Sequence, residues 1–203
     1  FVSETDQSEG HAVNKGVLLS RGKYVKFLTD DDVFYPEAME QAIQVLELNP
    51  EVDVLLCGGT KSRGGTSTNV YIPPGVDYGG RVEDVFEYGA CGIGLIVRRG
   101  VFGKVGLFNV RALALDTDFL TQCISRGANV KSCRIKVYHH IIEDHSATIG
   151  RRQAWEQDVN RIRRQYGLKE AYPPPRREGA ITKKLRSHAP GFMKRLVPRA
   201  ISR

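Results

Sequence analysis

Apolar residues along this chain recur with two periods, and their alternation predicts helices interleaved with short buried strands. Ala12, Val13, Val17 and Leu18 have helical spacing, with Gly22 of "RGK" as the expected C-cap. "YVKFL" then reads as a strand with "DDDVFYP" as the loop at its carboxyl end, and Pro36 fits the first turn of the next helix. That helix runs through Ala38, Met39, Ala42, Ile43, Val45 and Leu46 until "NPEVD" breaks it, and "VDVLLCGG" reads as a buried strand closed by glycines. A polar, glycine-rich stretch from Thr60 to Gly80 contains one edge strand or hairpin around Asn69 to Ile72, and connections of this length are more often functional than incidental.

Beyond it, a short helix is expected at 82–87. "CGIGLIVRRGVFGKVGLF" gives an apolar strand, a turn and a second short helix. "ALALDTDFLTQCISRG" gives an amphipathic helix through Phe119, Leu120, Cys123 and Ile124, with Asp116 and Asp118 at its start and Gly127 at its end. "NVKSCRIKVYHHIIEDHSAT" alternates enough for one or two strands. Trp155, Val159, Ile162 and Tyr166 mark one face of a helix over 151–167. "YPPPRREG" is a stiff break before a tail, and no internal repeat is seen. The order of elements predicts an α/β fold with one domain over residues 1–167 and a basic, Pro-containing tail over 168–203.

The chain of 203 residues, 41% hydrophobic and 26% charged, is long enough to enclose a core. Its formal charge of +7 suggests nucleic acid until the charge is located: 10 of the 30 basic and only 2 of the 23 acidic residues lie from Lys169 onward, leaving 20 against 21 in the body. A neutral body disfavours a nucleic-acid groove. No run reaches the roughly 20 apolar residues of a membrane-spanning helix, and Phe1 does not begin a signal-peptide pattern, so a cytoplasmic protein able to rest on a membrane surface is expected. Cys57, Cys91, Cys123 and Cys133 form no CxxC pair and no metal-ligand spacing with histidine, and read as reduced core residues.

The chemistry sits in two acidic stretches. Asp30, Asp31 and Asp32 end a buried strand, where three ionised carboxylates repel one another unless a cation neutralises them. A hard divalent ion suits such oxygen ligands; a solvated acidic turn is the plain alternative. An EF-hand loop is excluded because Phe34 stands where an oxygen ligand is needed, and a DDxxD site fails on Phe34 and Tyr35. Asp116 and Asp118 at a helix start suit either proton transfer or capping of free N–H groups.

Taken in order, "DQSEGHAVNKG", "GKYVKFLTDDD", the "P-E" helix, "VDVLLCGG", "LIVRRGVFGKVGLF", "LDTDF" and "HS" resemble the family 2 glycosyltransferases of the GT-A fold. The resemblance covers about residues 1 to 167. It implies a mixed sheet flanked by helices that lacks the first strands of the nucleotide-binding half, since no opening strand and no base-contacting aspartate after it are found. It further implies a metal-dependent inverting enzyme that moves a sugar from a nucleotide-sugar donor to a saccharide or lipid-linked hydroxyl acceptor, in cell-surface polysaccharide or glycolipid synthesis, with Mn2+ or Mg2+ as cofactor. In the DxD-type motif Asp30 would face the ribose and Asp31 or Asp32 would bind metal, the adjacent aspartates leaving the register open by one position. "LDTDF" resembles the family's Glu-Asp-x-Asp motif with Leu115 in place of the glutamate, making Asp116 the general base and Asp118 the second acid. His145 with Ser146 resembles the element whose histidine approaches metal or diphosphate, with His139 and His140 as competitors. Gly92 and Gly94 would lie under the acceptor site, or mark a bulge.

The tail mixes Lys183, Lys184, Arg186, Lys194, Arg195 and Arg199 with Leu185, Phe192, Met193, Leu196 and Ile201, a pattern suited to an anionic membrane surface or to a solvated extension. A competing function is a non-catalytic binding or assembly module derived from the same fold, completed by self-association or by another polypeptide pairing with an exposed strand.

Overall fold

The computed structural model describes residues 4–29, 32–63, 67–71, 77–142 and 150–174. The elements run α1 (Glu9–Leu19), β1 (Tyr24–Lys26), β2 (Val33–Phe34), α2 (Pro36–Leu48), β3 (Val54–Arg63), β4 (Ser67–Tyr71), α3 (Glu83–Tyr88), a 3-10 turn (Gly92–Gly94), β5 (Leu95–Arg98), α4 (Val101–Val105), α5 (Leu115–Ser125), β6 (Val130–Ile142) and α6 (Arg152–Gln165).

The strands form one mixed sheet in the order β1-β5-β3-β6-β2, with β4 paired to β3. β3 is its axis. Antiparallel β5 pairs with Val54–Leu56, antiparallel β4 pairs with Gly59–Arg63, and β6 runs parallel along β3. β1 pairs with β5 alone, so its other edge meets no strand of the described residues, and a cleft of about 430 Å³ lies between it and α1. β2 closes the opposite edge with Val33 opposite His139.

Both faces of the sheet are covered, which is why "VLLC" and "LIV" are apolar without alternation. Val54, Leu56, Leu95 and Val97 face α5 residues Phe119, Leu120 and Cys123, whereas Leu55, Cys57 and Ile96 face Ala42 and Leu46 of α2. The Phe108 and Phe119 rings stack at 3.9 Å, with Phe27 edge-on to Phe108 at 5.0 Å. Trp155, Val159, Ile162 and Tyr166 do form the packed face of α6, against Ala114, Phe86 and Tyr172. Asn160 holds the backbone of Ala171 and Tyr172, and the first compact unit runs to Tyr172. Of the second unit, Pro173–Arg203, only residues 173–174 are described, and the basic tail lies outside the described residues. Among the described residues no helix is long and apolar enough to cross a membrane.

Three local expectations are corrected. First, α1 buries Gly10, Asn14 and Val17, and leaves Leu18 exposed. The face turns because Asn14 exchanges two hydrogen bonds with the backbone of Phe108, donating to its carbonyl at 2.8 Å and accepting from its N–H at 2.9 Å. Gly10 allows that approach, since a Cβ there would stand 3.0 Å from the Asn109 carbonyl. The helix ends at Ser20, whose N–H and hydroxyl bond back to the last turn, and Gly22 has no capping role. Second, β3 does not close at its glycines: a Cβ on Gly59 would sit 2.2 Å from the Tyr138 ring, so this glycine makes room for a ring from the neighbouring strand. Third, Gly92 and Gly94 form a 3-10 turn ahead of β5 instead of lying within it.

Candidate functional site

The site gathers at the carboxyl end of β1, where four segments meet: the loop after β1, the Gly92–Gly94 turn, the start of α5 and the start of α1. Asp30 and Asp31 lie outside the described residues, as does His145. Asp32 is described, and its side chain is 1% exposed. Its carboxylate accepts from His140 Nδ1 at 2.8 Å, from the Ile141 N–H at 3.2 Å and from the Thr29 hydroxyl. Because a carboxylate only accepts, the His140 proton resides on Nδ1. Asp32 thus fastens the loop to β6 across the short β2–β6 pairing. His139 points elsewhere, bonding Thr60 Oγ1 at 2.7 Å and Ser62 Oγ at 2.9 Å, and serves as a clip between β6 and β3.

Lys26 connects the loop to the turn. Its ammonium lies over the Phe34 ring, 4.6 Å from the centroid, and donates to the carbonyls of Phe27 and Ile93. Burial pushes its pKa down to about 8, against the opposing pull of Cys57, Cys91 and Asp32. On the far side of the same turn, the Gly92 N–H donates to Asp116 Oδ2 at 3.2 Å, while Asp116 Oδ1 accepts from the Thr117 N–H at 2.7 Å. Burial raises the Asp116 pKa, and these N–H donors only partly offset it. Glu9, in the first turn of α1, is raised as well, by burial and then by the charge of Asp116. Two carboxyl groups therefore share this end of the site, both biased toward holding a proton.

Asp118 is placed differently. It is buried and paired with Arg161 of α6 at 2.7 Å; Arg161 also pairs with Asp158 at 2.6 Å. Asp158 in turn accepts from the N–H groups of Leu113 and Ala114 at 2.8 and 3.0 Å. The residues just before α5 are thus held from α6 by Asp158, while Asp116 itself takes up the Thr117 N–H of the helix's first turn, as the capping alternative expected. Gly94 is buried, and a Cβ there would lie 2.6 Å from the Cys57 carbonyl, so the fold itself requires this glycine. Gly92 instead faces Asp116, with a Cβ position 3.7 Å from that side chain.

Sequence reasoning missed Lys26, Glu9 and the Arg161–Asp158 clamp. Lys26 had a visible signal, a lone cation inside the apolar run "YVKFL". Glu9 and Arg161 had none, because both lie on polar helix faces and gain their roles from packing. Among the described residues no group of three or more metal-ligating side chains converges.

The family model "Glycosyl transferase family 2" matches residues 2–106. A PGL/p-HBAD biosynthesis glycosyltransferase of Mycobacterium tuberculosis is 30% identical over 143 residues, covering 68% of this chain and 50% of its own length. An uncharacterized glycosyltransferase of Haemophilus influenzae is 40% identical over 53 residues, covering 26% of this chain and 18% of its own length. This chain therefore spans half the length of the first relative and less of the second. Among solved structures, Staphylococcus aureus TarS in complex with UDP-GlcNAc superposes with a TM-score of 0.61 at 14% identity, over 84% of this chain and 50% of that one. The mannosyltransferase PcManGT of Pyrobaculum calidifontis, in complex with GDP-Man and Mn2+, gives 0.56 at 15% identity, over 84% and 46%. The mixed, helix-flanked sheet is that of the GT-A glycosyltransferases.

Proposed function

The chain belongs to glycosyl transferase family 2, and on that premise we propose that it moves a sugar from a nucleotide-sugar donor to a hydroxyl acceptor with inversion at the anomeric carbon. The observation that carries this reading is the Gly92–Gly94 turn, tied to Lys26 beside the first acidic loop and to Asp116 of the second acidic motif. Asp116 takes the proton from the acceptor hydroxyl as that oxygen attacks the anomeric carbon from the side opposite the diphosphate. Its raised pKa brings its basicity closer to the working pH, where proton transfer is most effective. The Gly92 and Thr117 N–H groups fix its orientation.

The oxygen donors of the loop after β1 suit a hard divalent cation, Mn2+ or Mg2+, which is often held by one or two carboxylates together with substrate phosphates. The carboxylate of Asp32 is already engaged by three donors, which favours Asp31 as the metal ligand, Asp32 as the anchor of the loop and Asp30 as the group facing the ribose. When bound, the cation offsets the charge that develops on the departing diphosphate. TarS and PcManGT, solved in complex with UDP-GlcNAc and with GDP-Man and Mn2+, support a donor of this class. The acceptor is a saccharide or a glycolipid precursor of the cell surface, with the basic tail resting on the cytoplasmic membrane face. A further polypeptide segment or a second copy pairs with the open edge of β1.

Calorimetric titration with UDP and GDP, with and without Mn2+, tests this on the chain and on the longest natural polypeptide that contains it. Metal-dependent binding of one nucleotide, lost in Asp31→Asn, is expected. Its absence from both forms overturns the reading, and binding without sugar transfer in the longer form favours a binding module instead.

A further inference from the structure

The parallel pairing of β3 with β6 shifts register twice, and the larger shift falls between Leu56 opposite Ser132 and Gly58 opposite Lys136. Within that gap β3 contributes only Cys57, while β6 contributes Cys133, Arg134 and Ile135, so β6 bulges. The bulge brings the two thiols together, with sulfurs 3.6 Å apart in hydrogen-bond contact. Cys57 is fully buried, whereas Cys133 is only half-buried. Among the described residues the other two cysteines make no thiol–thiol hydrogen bond: Cys91 accepts from the Tyr138 hydroxyl at 3.3 Å, and Cys123 lies buried on α5. This contrast singles out one reachable thiol with one protected thiol directly behind it.

We propose that Cys57 and Cys133 are a site of reversible oxidation, joined by peroxide into a disulfide that straps the β6 bulge to β3. The contact with Cys57, helped by the Ile135 N–H, brings Cys133 down to about 7, while the same contact and burial hold Cys57 above the usual thiol range. Cys133 is therefore the attacking thiolate. It displaces hydroxide from hydrogen peroxide and becomes a sulfenic acid; the Cys57 sulfur then attacks the Cys133 sulfur and releases water. Two thiols and one peroxide yield one disulfide and two waters, the thiols losing two electrons. Closing the bond requires the sulfurs to approach from 3.6 Å to about 2.05 Å, a movement that side-chain rotation at an unpaired bulge can supply. The strap sits on the strand pair that carries His140 toward Asp32, and the inference does not rest on the sugar-transfer reading.

The test treats the full chain with hydrogen peroxide, blocks remaining thiols and maps peptides by mass spectrometry. The expected product is a Cys57–Cys133 cross-linked peptide, reversed by dithiothreitol, absent in Cys133→Ser and retained in Cys91→Ser and Cys123→Ser. In Cys57→Ala the sulfenic acid on Cys133 should persist and be captured by dimedone. A wild-type chain that yields only sulfinic or sulfonic acid at Cys133, a cross-link to Cys91, or no modification overturns the proposal.

Discussion

Asp116 and Asp118 stand two positions apart at the start of one helix, and their surroundings have little in common. Asp118 is buried against a guanidinium that also holds Asp158, so its charge is matched. Asp116 has no cation beside it among the described residues and is held by N–H groups alone. A buried carboxylate with a matched cation is a structural brace, while one with only neutral donors keeps a raised affinity for protons. Helix geometry produces the split: residues two apart point to opposite sides, one toward the turn before β5 and the other toward α6.

The most demanding test of that contrast is Asp116→Asn, expected to lower kcat for sugar transfer by about 10²–10⁴-fold, the usual contribution of a general base, with nucleotide affinity unchanged. Stability should move the other way. With its pKa raised above the ordinary 3.8, Asp116 binds its proton more tightly in the folded chain than in the unfolded one. Its contribution is then fully present below pH 3.8 and lost as pH rises through the folded value. Asn removes that loss, so thermal melts at pH 7 should show a higher Tm than wild type. A lower Tm would mark Asp116 as a brace like its neighbour.

Arg161→Leu should cost stability by about 2 kcal/mol in urea titration, since it strips charge-assisted hydrogen bonds from two carboxylates. Asp118→Asn in the same background should recover part of that loss, giving a coupling energy in a double-mutant cycle. The smallest effect is the most specific. Followed by carboxyl 13C NMR, Glu9 should titrate at lower pH in Asp116→Asn, because the charge that helps to raise it is gone. Asp118→Asn should leave Glu9 where it was.

The frame of this arrangement was legible where one residue type answers to one physical need. Pro36 opens α2, and Gly127, at φ 72°, ends α5. The spacing of Trp155, Val159, Ile162 and Tyr166 gave the packed face of α6. Legibility failed where a residue serves a distant neighbour. Gly59 looked like a strand end and is a socket for Tyr138; Asn14, absent from the apolar pattern of its helix, is buried in an exchange with Phe108. The site shows the same division. Acidic residues can be seen in a sequence, but the cation that matches Asp118 and the Gly92 N–H that helps to orient Asp116 arrive from elements tens of residues away, at separations no local pattern encodes.

The clamp from α6 also has a consequence in time. Arg161 follows Asp118 by 43 residues, so a chain emerging from the ribosome presents the start of α5 well before the helix that fastens it. During that interval the Leu113 and Ala114 N–H groups are uncapped and Asp118 lacks its counter-charge, which favours leaving that turn hydrated. The half of the site built on α5 is thus completed last, and a polypeptide cut short before α6 would retain the aspartates yet not the means of holding them apart in role.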